Sequence, residues 1–123
     1  MRNVLFVALG GAAGALARYL VGIALAGPSL QFPWSTLTVN VVGAFALGVL
    51  VGATPPTAVS RLALGVGACG GFTTFSTYAL EAVTLAQRGL PGRAGAYVVG
   101  SVVAGVLAAV AGLAVGRLLG SAR

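Results

Sequence analysis

Gly70-Gly71-Phe72-Thr73-Thr74-Phe75-Ser76-Thr77-Tyr78 lies inside an apolar run from about Val59 to Ala86. Two glycines followed by two β-branched threonines make a poor helix. The run around them is nonetheless long enough to cross a bilayer, which takes about 20 apolar residues in a helix. The stretch therefore predicts a membrane helix broken near its middle. An unwound segment at that depth survives only where it is buried in protein or lines a cavity. Its freed carbonyls can bind a cation, and the half-helix that follows offers N–H groups favourable to anions. The hydroxyls of Thr73, Thr74, Ser76 and Thr77 add donors. Phe75 and Tyr78 are three apart and share a face, and an aromatic ring edge is the positive part of its quadrupole. A glycine kink with both rings in a packed core is the plainer alternative.

Working outward, three more stretches are apolar enough to span: about Val4–Ala26, Leu37–Ala53 and Gly95–Leu119. The expected fold is an all-α membrane protein of four transmembrane helices, a single domain over residues 1–123. Composition agrees. Charged residues make up 7% of the chain and hydrophobic ones 59%, whereas a soluble domain carries roughly 25% charged residues. The solvent must be lipid. The formal charge of +6 does not point to nucleic acid, because the arginines sit singly between apolar runs. No histidine is present and there is one cysteine, Cys69. No intrachain disulfide, no histidine metal site and no nucleophile–base pair can be assembled, so no enzyme is expected. Met1-Arg2-Asn3 before an apolar run, with Ala24-Leu25-Ala26 beyond it, imitates a signal peptide, but Arg18 interrupts the run.

Short connections separate the spans. Gly27 to Ser35 contains Pro28, Pro33 and Trp34 and suits an interfacial loop. Thr54-Pro55-Pro56-Thr57 is a sharp stop, and Arg88 to Arg93 is the third turn. Arg2, Arg61, Arg117 and Arg123 fall on one side of the membrane and Arg88 and Arg93, with Arg18 if it snorkels outward, on the other. So weak a bias fixes orientation poorly. The chain either leans towards an inside N-terminus or inserts both ways, which would permit an antiparallel homodimer. Gly10/Gly14, Gly48/Gly52, Gly67/Gly71 and Gly112/Gly116 are G-x-x-x-G spacings, read either as packing within one bundle or as support for an oligomer.

Polar groups within a span are functional candidates by default. Arg18 is either a snorkelling anchor or a positive charge at an anion vestibule. Thr36 and Asn40 share a face of the second span, as glue between helices or as donors lining a path. Glu81 is the sole acidic residue. It lies one turn beyond Thr77 and Tyr78, at an exposed end or neutralised by a proton or an arginine. Tyr97 and Ser101 form one polar line on the fourth span. Together these groups describe a path of neutral donors, suited to a small hydrated anion that must enter and still leave.

Three motifs in order carry a resemblance that covers nearly the whole chain. They are Gly10-Gly11-Ala12-Ala13-Gly14-Ala15-Leu16-Ala17-Arg18-Tyr19, Thr36-Leu37-Thr38-Val39-Asn40-Val41-Val42-Gly43, and the Gly70–Tyr78 stretch. The chain resembles the Fluc fluoride channels, also called the CrcB family. The resemblance implies a dual-topology antiparallel dimer, of identical or paralogous subunits, in the cell membrane, with two fluoride pores along the interface. It implies Asn40 as the pore amide and Phe75 as the first ring of an aromatic pair. Thr36, Thr74, Ser76, Thr77 and Glu81 would be polar lining, Tyr97 and Ser101 the fourth-helix track, and Arg18 a vestibule residue. A structural sodium ion at the dimer centre would be held by the backbone carbonyls of Gly70 and Thr73. Tyr78 and Gly105 depart from the family, where Phe and a polar residue are usual; the departures concern the number of working pores. The expected activity is passive fluoride export that limits fluoride toxicity. The alternatives are a coupled exporter like the small multidrug exporters, which need a first-span carboxylate that is absent here, and a non-conducting subunit of a heterodimeric channel.

Overall fold

The computed structural model describes residues 1–26, 32–53 and 58–121. The Thr54–Thr57 stop, most of the first loop and Arg123 lie outside the described residues. Every regular element among the described residues is helical. α1 is Arg2–Ala24 and α2 is Trp34–Gly52. α3 covers 58–72 and α4 is Phe75–Gln87, which together make the broken third span. α5 is Pro91–Ser121. By length and hydropathy α1, α2 and α5 can each cross a membrane unbroken.

The turn between α4 and α5 is tighter than the expected Arg88–Arg93. Gly89 takes φ 76°, and the amides of Gly89 and Leu90 reach back to the carbonyls of Ala86 and Leu85 at 3.1 Å each. This pattern closes a helix through a left-handed residue, which glycine adopts without penalty. Pro91 then opens α5, where its missing N–H costs nothing. α3 also departs from a simple helix. Over Arg61–Cys69 its bonding is π-type, each amide reaching back five residues in place of four, a rare form that recurs at functional sites.

Burial is inverted relative to a soluble protein. Leu118 is 71% exposed and the outer faces of α1 and α5 are lined with exposed valines and leucines. Tyr97 is wholly buried, and Thr36, Thr74 and Ser101 join it inside. Lipid is as apolar as leucine, so apolar side chains gain little from packing inward, and small residues bring the helices together instead. α1 packs along α3, and α2 along α5. A Cβ at Gly10 or Gly14 would collide with the carbonyl oxygens of Ala63 or Ala68. At Gly67 it would lie 2.9 Å from the Val7 carbonyl oxygen. Gly48 and Gly52 meet Ala109 and Leu113, and Gly112 and Gly116 meet Phe45 and Val49, again at backbone atoms. All four G-x-x-x-G pairs are therefore consumed within this chain. They lend no support to an oligomer, because the backbones they admit are the chain's own.

Candidate functional site at the break in the third span

The break falls on the threonines and not on the glycines. Gly70 is still helical, while Thr73 (φ −79°, ψ 160°) and Thr74 (φ −150°, ψ 120°) are extended. β-Branched residues favour extended backbone, and Thr74 then serves as N-cap: its Oγ1 accepts from the Thr77 amide at 3.2 Å. Such a cap satisfies one of the orphan amides at a helix start. The Thr74 hydroxyl also lies 3.1 Å from Thr77 Oγ1 and 3.3 Å from Ser76 Oγ. The Thr77 amide in the first turn of α4 is thus directed into a cluster of hydroxyls.

Asn40 splints the break. Its Nδ2 donates to the Thr74 carbonyl at 3.0 Å, and its Oδ1 accepts from the Thr74 amide at 2.7 Å. The side-chain oxygen thereby replaces the carbonyl that a continuous helix would have offered the Thr74 amide, while the Thr74 carbonyl, at the N-cap, also accepts the first bond of α4. Geometry explains why α2 delivers it. Thr36, Asn40 and Gly43 lie on one face at i, i+4 and i+7, and a Cβ at Gly43 would collide with the Thr73 side chain. The reading of Asn40 as glue between helices fits these bonds, which hold α2 to the break in the third span.

Arg18 is turned towards the break. It follows Gly10 and Gly14 at four-residue steps on the α1 face against α3, and its Nη1 donates to the Thr73 carbonyl at 3.3 Å. A guanidinium thus sits at the C-terminal, negative end of the α3 dipole, where cations are favoured.

Glu81 is not at a free end. Its Oε1 accepts from Thr36 Oγ1 at 2.9 Å and its Oε2 from the Tyr97 hydroxyl at 2.7 Å. Rings continue from this pair as a ladder. Tyr97 lies 5.2 Å from Tyr78 and 5.4 Å from Phe32, Phe32 lies 4.5 Å from Trp34, and Tyr78 lies 5.6 Å from Phe75. The Tyr78 hydroxyl donates to the Val98 carbonyl at 3.1 Å. The oxygen that departs from the family pattern is therefore spent on α5.

Two cavities flank Glu81. One, of about 180 Å³, is lined by Arg18, Ser35, Thr36, Thr74, Thr77 and Glu81 among others. The other, of about 230 Å³, runs from Glu81 and Ser35 past Phe32 to Thr84 and Arg88. Of the expected site residues, Arg18, Thr36, Thr74, Thr77 and Glu81 line these cavities, and Asn40, Ser76, Tyr78 and Tyr97 join them through the hydrogen bonds and ring contacts above. Two stand apart. Phe75 is 79% exposed and faces away from the chain. Ser101 is buried, and its hydroxyl has no hydrogen-bond partner among the described residues. Sequence reasoning missed Ser35 and Phe32. Ser35 was legible as a neighbour of Thr36, whereas Phe32 joins the ring ladder only through tertiary contact.

Among the described residues no cluster of acidic, histidine or cysteine side chains is suited to a metal. Backbone oxygens at the break fit a weakly held alkali cation better. Helical continuation would turn the amides of Thr74 and Thr77 to the carbonyls of Gly70 and Thr73. Those amides go to Asn40 and to Thr74 Oγ1 instead. Gly70 is exposed with open space where a side chain would stand, so its carbonyl is approachable. The Thr73 carbonyl keeps one lone pair beyond the one used by Arg18.

A family model described as CrcB-like protein, Camphor Resistance (CrcB), matches residues 5–113. The chain is 47% identical to the "Fluoride-specific ion channel FluC" of Agrobacterium fabrum, over 97% of this chain and 99% of that protein. It is 47% identical to the protein of that name from Novosphingobium aromaticivorans, over 95% and 98%. With that of Rhizobium leguminosarum bv. trifolii the identity is 48%, over 97% and 99%. A match across nearly the full length, joined to helices able to cross a bilayer, places this multi-pass membrane protein: the chain belongs to the CrcB family.

Proposed function

We propose that the chain forms a fluoride-selective channel that passively exports fluoride across the cell membrane and so limits its toxicity. The observation that carries this reading is the broken third span. At that break a hydroxyl-capped helix N-terminus opens beside a polar cavity lined by Arg18, Thr36, Thr74 and Thr77. Relatives that are ion channels by name support it, and a channel, unlike an enzyme, calls for no catalytic group. A negative cell interior would drive the anion outward with about 2.3 kcal/mol per charge per 100 mV, without fuel or cofactor.

The working unit in this reading is an antiparallel pair, of two copies of this chain or of this chain and a paralogue. Phe75, Ser76, Thr77 and Gly70 are exposed beside the break. Irregular backbone is not tolerated against lipid, so a second subunit is expected to cover this face and bring Phe75 into the path. Asn40, Tyr78, Tyr97 and Ser101 then complete the lining. A sodium ion held by the carbonyls of Gly70 and Thr73 from both subunits would neutralise and join the two breaks. No observation favours a coupled exporter: α1 carries Arg18 and no carboxylate.

The test is fluoride efflux from liposomes containing the purified chain, read with a fluoride electrode beside a chloride control. Fast fluoride loss without chloride loss, abolished by Phe75→Ile or Asn40→Asp, is expected. Absence of efflux from the pure chain would refute a self-sufficient channel. Efflux that appeared only on co-expression with a paralogue would assign the chain to a heterodimer.

A further inference from the structure

We infer that Arg18 sets the affinity of the sodium site, because its guanidinium and the ion compete for one oxygen, the Thr73 carbonyl. The inference rests on the proposed reading only for the existence of that site.

Three observations carry it. First, α1 delivers Arg18 rigidly. A Cβ at Gly14, one turn before Arg18, would collide with the Ala68 carbonyl and lie 2.8 Å from the Phe72 amide, so the α1 and α3 backbones are in contact. Second, the bond from Arg18 Nη1 to the Thr73 oxygen is 3.3 Å long, whereas N–H···O bonds run at about 2.7–3.2 Å. The guanidinium is held at the carbonyl without being locked to it. Third, the same side chain lines the 180 Å³ cavity with Thr36, Thr74, Thr77 and Glu81. It therefore has a polar place to occupy when it leaves the carbonyl. Two cations on one oxygen repel at short range, in surroundings where charges are screened far less than in water. The ion binds either against the Arg18 charge or by displacing it, and both cost affinity. Arg18 is thus a positioning residue whose charge keeps the site weak.

The experiment titrates sodium, replacing N-methylglucamine at constant ionic strength, into the full chain in detergent. The thermal midpoint is followed through the single tryptophan, Trp34. Arg18→Gln keeps a donor for Thr73 without the charge, Arg18→Met keeps the stem alone, and Arg18→Lys keeps the charge. In the two neutral variants the half-maximal sodium concentration is expected to fall by about tenfold or more, while Arg18→Lys stays near the parent value. A neutral variant whose sodium midpoint is unchanged or raised would overturn the inference, as would a parent protein whose stability ignores sodium. Fluoride efflux run in parallel separates the two claims. A parent that conducts fluoride yet ignores sodium keeps the channel reading and loses this one. A parent that does not conduct but shows the sodium shift in Arg18→Gln keeps this one and loses the channel.

Discussion

Replacing Asn40 with leucine would strip the break of its splint. Leucine has asparagine's branching and number of heavy atoms but neither amide group, so the amide of Thr74 would lose the partner it holds at 2.7 Å and its carbonyl the donor at 3.0 Å, the carbonyl keeping the first bond of α4 that an N-cap residue accepts. Thr74 is only 7% exposed, and water has little access to repair the loss. A buried backbone group left unsatisfied costs about 1–3 kcal/mol. The one amide left bare puts Asn40→Leu at about 1–3 kcal/mol of destabilisation on the same scale. Asn40→Asp keeps the acceptor for the Thr74 amide and loses only the donor to a carbonyl still bonded within α4, at a cost of about 0.5–1.5 kcal/mol, while setting a carboxylate against that oxygen. The assay is unfolding by SDS titration in mixed micelles, followed by Trp34 fluorescence, with Val42→Leu as an exposed control on the same helix. Hydrogen exchange at the Thr74 amide supplies a local readout: protected in the parent, fast in Asn40→Leu and slow in Asn40→Asp. If Asn40→Leu unfolds within about 0.5 kcal/mol of the parent and the Thr74 amide stays protected, the splint is wrong and Asn40 acts on the ion alone.

Other expectations follow from particular contacts. Gly14→Ala would force a methyl group into the Ala68 carbonyl and is expected to cost about 1–3 kcal/mol. Gly92→Ala meets nothing within 4 Å and lies in the first turn of α5, so it should be neutral or stabilising by up to about 1 kcal/mol; the same SDS titration ranks the two. Tyr97→Phe removes a fully buried donor from the Glu81 carboxylate and should cost about 1.5–3 kcal/mol. Tyr78→Phe loses only a half-exposed bond to Val98 and should stay within about 1 kcal/mol with fluoride efflux retained, which flux assays check directly. Gly89→Ala must hold φ 76° with a side chain and is expected to cost about 1–2 kcal/mol, read as a lowered thermal midpoint.

Much of this protein was written locally in its chain. A near absence of charge dictates lipid as solvent, since no water-facing surface can be assembled from eight charged residues. The spans, a break somewhere within Gly70–Tyr78 and a turn within Arg88–Arg93 follow from short-range propensity, and so they were legible; that the break falls on Thr73 and Thr74 was not. Residues four apart, such as Thr36 with Asn40 or Tyr97 with Ser101, could be assigned to common faces because helical periodicity is local. Which face meets which was not legible. That Arg18 would reach Thr73, that Asn40 would grip both backbone groups of Thr74, and that Glu81 would be held between α2 and α5 depend on helix packing across 55, 34 and up to 45 residues of sequence. The glycine pairs make the same point, since one spacing serves equally for contacts within a chain and between chains. The sequence by itself determined the solvent, the helices and the stretch within which one of them fails. Only the tertiary structure decided which polar groups compensate that failure, because in lipid an unpaired backbone group must find a partner and several faces could have supplied one.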